Sequence, residues 1–121
     1  MVRWLAEPGK LSKEQTRAVR ESVRRHEPLA VSAITLLEIA ILFDKGRSIV
    51  PLGELLGELE SNPAFQILPL TVDVAAEVAA LGRGLRDPAD RTIVATARVY
   101  KLRLITSDQR IIESNLVRVV A

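Results

Sequence analysis

Asp87-Pro-Ala-Asp-Arg-Thr-Ile-Val-Ala-Thr-Ala-Arg-Val-Tyr-Lys-Leu-Arg-Leu-Ile-Thr-Ser-Asp108 decides how this chain folds. Asp87 suits a helix cap, Pro88 the first helical position, and Asp90 and Arg91 fall in the first turn. Ile93, Val94 and Ala97 then recur at helical spacing. Leu102, Leu104 and Ile105 make a brief apolar strand, closed by Thr106-Ser107-Asp108. In an open parallel sheet, strand ends and the adjacent helix starts face one crevice, where ligands bind. Asp90 and Asp108 are therefore expected to meet there.

Working outward, Ser12-Lys-Glu-Gln15 reads as a capping box, with Gln15 reaching back to Ser12. It opens a helix to about Arg25, with Val19 and Val23 on one side and arginines on the others. Leu29–Ala33 reads as a strand. Ser32 caps a helix from Ala33 to Lys45 that Gly46 stops. That helix is apolar almost all round and is expected to be largely buried. A helix over residues 51–59, a strand over 65–70 shortened by Pro69, and a helix over 71–81 precede the opening stretch. A short helix at 109–114 and a strand at 116–120 follow it. Strands alternating with helices predict α/β with a parallel sheet. The lead, residues 3–9, is helical or irregular, whereas such a sheet usually opens on a buried strand.

Bulk properties narrow the function less. At 121 residues the chain makes a single domain, spanning 1–121. It has no apolar run approaching the ~20 residues of a membrane span. No cysteine is present, which excludes disulfides and thiolate metal sites and fits a reducing cytoplasm. A net charge of +2 is too small to argue nucleic-acid binding alone, and the 3% aromatic content argues against binding by base stacking. One histidine, His26, placed at the surface, leaves no zinc site and no Ser–His–Asp triad.

The acids carry the chemistry. In the helix after Ser32, Thr35 and Glu38 are the polar residues within an apolar run and share one face. A carboxylate there needs water, a partner or a cation; equally, Thr35, Glu38 and Lys45 would mark the solvent stripe of a packed helix. Asp90 would also serve the helix dipole, and Asp108 would be an ordinary helix start. Carboxylates gathered at strand ends repel unless a cation intervenes. Oxygen ligands without nitrogen or sulfur favour Mg²⁺ or Mn²⁺, and such a cation suits water-driven displacement at phosphorus.

Three segments carry a resemblance: Ser-Ala-Ile-Thr-Leu-Leu-Glu-Ile-Ala (32–40), Asp-Pro-Ala-Asp-Arg-Thr-Ile-Val-Ala-Thr-Ala (87–97) and Leu-Ile-Thr-Ser-Asp-Gln-Arg-Ile (104–111). With Ile67–Thr71 and the 5–12 lead in the same order, the chain resembles PIN-domain proteins of the VapC toxin type. The resemblance implies a three-layer α/β/α fold with a parallel sheet and a Mg²⁺- or Mn²⁺-dependent ribonuclease. It further implies inhibition by a cognate antitoxin and, commonly, a homodimer. Glu38, Asp90 and Asp108 match the family's metal-site acids, and Ser32 and Thr106 its supporting hydroxyls. Arg83, Arg86, Arg91 and Arg110 are candidate phosphate contacts.

One departure accompanies the match. The family opens on a central apolar strand ending in an Asp, and this chain starts past both. Loss of that strand predicts a gap flanked by unpaired backbone groups. It also predicts that Met1 is internal to a longer reading frame, which an in-frame stop immediately before it would contradict. Two other readings compete: a PIN-like relic that binds an antitoxin or dimerises without cutting, and a generic α/β phosphate-binding module. The second has no Gly-rich phosphate loop.

Overall fold

The computed structural model describes residues 13–44 and 52–120. Its elements run α1 (Lys13–Arg24), β1 (Leu29–Ser32), α2 (Ala33–Asp44), α3 (Leu52–Ser61) and β2 (Phe65–Leu68). Then come α4 (Val72–Ala80), α5 (Pro88–Val99), β3 (Leu104–Ile105), α6 (Gln109–Ser114) and β4 (Val119–Val120). The expected lead at 3–9, the Ser12 cap and the Gly46 stop lie outside the described residues. Helices and parallel strands alternate, as the sequence pattern requires.

The helix boundaries follow local chemistry. Thr71 caps α4 by accepting from the Val74 N–H at 3.2 Å, and Asp87 caps α5 by accepting from the Asp90 N–H at 3.0 Å. β2 ends at Leu68, before Pro69, because proline cannot donate to a ladder. Asn115, with φ near 55°, closes α6 in the left-handed conformation that asparagine tolerates. On α1, Arg24 and Arg25 both pair with Glu21, and the Arg24 guanidinium in particular holds the Glu21 carboxyl below its ordinary range.

Helix α5 is the centre of the molecule. Ile93, Val94, Ala95 and Ala97 are fully buried, and they pack with Ala30 of β1, Leu68 of β2, Val74 of α4, Leu104 of β3 and Ile111 of α6. Arg98 fastens the outer side: its Nε lies 2.7 Å from Glu77 of α4, and its Nη1 donates to the Leu116 carbonyl at 3.1 Å.

The strands form two separate parallel pairs, β1–β2 and β3–β4. Among the described residues no ladder joins one pair to the other. Leu29 N–H donates to the Ala64 carbonyl, and Leu104 and Thr106 N–H donate to the Arg118 and Val120 carbonyls. Alternate residues along a parallel ladder serve one neighbour, so Ala30, Ser32 and Ile105 turn their backbone groups to the opposite edge. A groove of about 330 Å³ is lined from both pairs, by Leu29, Ala30 and Leu68 on one side and Arg103, Ile105 and Val120 on the other.

One local expectation is corrected. Helix α2 is not buried all round, because Leu37 is 54% exposed and Ile41 45%. Its polar Thr35 is fully buried instead, so Thr35 is no part of a solvent stripe. Gln15, whose expected cap partner Ser12 lies outside the described residues, also reaches across the fold. Its amide donates to Ser107 Oγ at 3.2 Å and to the Val120 carbonyl at 3.1 Å, tying α1 to the ends of β3 and β4.

Candidate active site

Asp90 lies on the inward face of α5, at i, i+3, i+4 and i+7 with Ile93, Val94 and Ala97. Its first-turn position therefore does not leave it in solvent: it is 3% exposed. Asp87, three residues earlier, serves as the cap, so capping does not account for the burial of the Asp90 carboxyl.

Helix α2 packs on α5 and brings Thr35 and Glu38 to the inner side. Glu38 is half-buried, with one carboxylate oxygen fully enclosed. The Thr35 hydroxyl is buried and has no hydrogen-bond partner among the described residues. A helix that turns Leu37 and Ile41 outward while enclosing a threonine and part of a glutamate reverses the ordinary polarity of folding. Such reversals concentrate where a site, rather than packing, dictates the residue.

Asp108 directly follows β3 and caps α6: one of its oxygens accepts from the Arg110 N–H at 2.9 Å and the Ile111 N–H at 3.4 Å. Thr106 Oγ1 accepts from the Asp108 N–H at 3.1 Å, fixing the turn that carries this acid. Ser32 Oγ accepts from the Ile34 N–H at 3.3 Å, the corresponding turn between β1 and α2. Both hydroxyls are buried at strand ends, and both work locally.

The donors fit a hard divalent cation in type, since all are carboxylate or hydroxyl oxygens. In arrangement they do not complete a site: among the described residues, no three His, Cys, Asp or Glu side chains gather into a group that could hold a metal ion.

Of the arginines near the acids, Arg91 is committed elsewhere, which removes it as a phosphate contact. Its guanidinium donates to the carbonyls of Gly82 at 2.5 Å, Leu85 at 2.6 Å and Val78 at 2.6 Å. The role was missed in the sequence because backbone carbonyls carry no residue-type signal. Arg86 and Arg110 line a groove of about 290 Å³ together with Asp87, Asp90 and Glu113.

Comparison with known proteins follows the same segments. A PIN-domain family model matches residues 2–114. Over 111 aligned residues the chain is 35% identical to ribonuclease VapC22 of Mycobacterium tuberculosis (strain ATCC 25618 / H37Rv), an alignment covering 89% of this chain and 81% of that protein. No described helix is long and apolar enough to cross a membrane. With α5 and its inward-facing acid inside the matched region, the chain belongs to the PIN-domain family.

Proposed function

We propose that the chain is an endoribonuclease of the VapC toxin type, dependent on Mg²⁺ or Mn²⁺ and restrained by a cognate antitoxin protein. The burial of Asp90 at the head of α5, beside the helix that carries Glu38, is the observation that carries this reading. Membership of the PIN family and the likeness to a named ribonuclease support it. The cytoplasm, a homodimer and a single domain over 1–121 belong to the same proposal.

Glu38, Asp90 and Asp108 are the residues that would hold the cation. A hard divalent ion, when bound, stabilises charge building on a phosphate and raises the acidity of water. The chain's own part is to prepare the surroundings. α5 holds the Asp90 carboxyl away from bulk solvent, where charge interactions are stronger. Thr106 fixes the turn bearing Asp108, and Ser32 the start of the helix bearing Glu38.

Asp90→Asn tests the reading. The variant is expected to lose divalent-cation-dependent cleavage of a mixed RNA substrate while keeping the thermal unfolding of the parent chain. Unchanged cleavage would refute a role for Asp90.

A second reading is a PIN-like domain that binds an antitoxin or its own copy without cutting RNA. The absence of a three-acid group among the described residues favours it. It predicts no cleavage at any Mg²⁺ or Mn²⁺ concentration, with antitoxin binding or dimerisation retained.

A further inference from the structure

The arginines around the acids divide into two sets. Arg91 and Arg98 are committed: the first to three backbone carbonyls, the second to Glu77 and the Leu116 carbonyl. Arg86 and Arg110 are exposed and make no ion pair and no side-chain hydrogen bond among the described residues. They belong to different elements, Arg86 to the α4–α5 loop and Arg110 to the first turn of α6, yet both line the groove that Asp90 also lines.

The acids on that groove do not claim them. Asp87 accepts from the Asp90 N–H, and Glu113 accepts from the Gln109 side-chain amide at 3.1 Å. Two uncommitted guanidiniums on one groove present planar donor forks, a geometry that matches the oxygens of phosphate as well as of carboxylate, and the ribonuclease reading selects phosphate. The Arg91 clamp holds the loop on which Arg86 stands, through the Gly82 and Leu85 carbonyls on either side of Arg83 and Gly84. One side of the groove is therefore fixed before any ligand arrives.

We propose that Arg86 and Arg110 form a phosphate subsite for single-stranded RNA, holding the backbone beside Asp90. The inference rests on the ribonuclease reading for the identity of the polyanion, and on the groove for the place. The contact is to phosphate, so it positions the strand without reading its bases.

The test is the affinity of the full chain for a labelled mixed-sequence single-stranded RNA, measured in EDTA so that no cleavage occurs, over a range of salt concentrations. Arg86→Ala and Arg110→Ala are each expected to flatten the plot of log affinity against log salt by about 0.7. That corresponds to a roughly 2–3-fold smaller loss of affinity between 50 and 200 mM salt. Arg20→Ala, on the exposed side of α1, is the control and is expected to leave the slope unchanged. Arg86→Lys and Arg110→Lys are expected to keep most of it.

An unchanged slope in both alanine variants, an equal change in Arg20→Ala, or no RNA binding by the parent chain overturns the subsite. Cleavage by the parent chain with Mn²⁺ is scored separately. Cleavage with arginine-independent binding overturns the subsite alone, and arginine-dependent binding without cleavage overturns the ribonuclease reading alone.

Discussion

The Arg91 guanidinium donates to the Val78 carbonyl at 2.6 Å, so the first turn of α5 closes the last turn of α4. The backbone gives this carbonyl one long bond, from the Leu81 N–H at 3.4 Å, and a side chain from the next helix adds a shorter one. The same guanidinium holds the Gly82 and Leu85 carbonyls, fixing the loop between the two helices.

Arg91→Lys keeps the charge but loses the fork, since one ammonium cannot span three carbonyls in separate directions. The substitution is expected to destabilise the fold by about 1–3 kcal/mol in urea unfolding. A change below ~0.5 kcal/mol would show that water replaces the clamp at no cost.

Gln15 and Ser107 are 92 positions apart in sequence and joined by a hydrogen bond. Gln15→Ala and Ser107→Ala, alone and combined, make a double-mutant cycle. The pair is expected to couple by about 0.5–1.5 kcal/mol, with Gln15→Ala the costlier single change because it also removes one of the two donors to the Val120 carbonyl. Additive effects would mean that the pair does not anchor α1.

Thr35→Val replaces a buried hydroxyl that has no partner among the described residues with a methyl of similar size. Removing an unsatisfied polar group is expected to raise stability by about 1 kcal/mol. Cleavage of RNA is expected to fall at the same time. Higher stability with full activity would make Thr35 a packing residue.

Thr106→Ala removes the acceptor that orients the Asp108 backbone, and Thr106→Ser keeps it. Cleavage is expected to drop ~10–100-fold in the alanine variant, the scale on which small misplacements act, and to stay near the parent value in the serine variant. Equal activities in all three chains would remove Thr106 from the site.

Much of this arrangement was legible in the residues. Asp87-Pro88 announced the start of α5, and Pro69 the early end of β2, because caps and prolines act within a few residues of themselves. Periodicity misjudged α2: Leu37 and Ile41 look like core residues on any local scale, and only packing against α5 decides which side of the helix faces in. The long-range contact of Gln15 was illegible for a related reason. A glutamine three residues after a serine signals a local cap, and nothing in that spacing reveals a carbonyl at position 120. The commitment of Arg91 to backbone carbonyls was equally invisible, whereas Asp90, Glu38 and Asp108 stood out through the apolar or strand-end settings around them.

Among the described residues no backbone ladder joins the two strand pairs, and side chains of α5 pack with residues of both. A ladder fixes strand spacing near 4.8 Å whatever residues it carries, but a side-chain bridge is as wide as the residues that fill it. Ile93 and Val94 share one core with Ala30, Leu68 and Leu104 of the two pairs, so trimming or enlarging either one is expected to shift the pairs relative to each other without touching an acid.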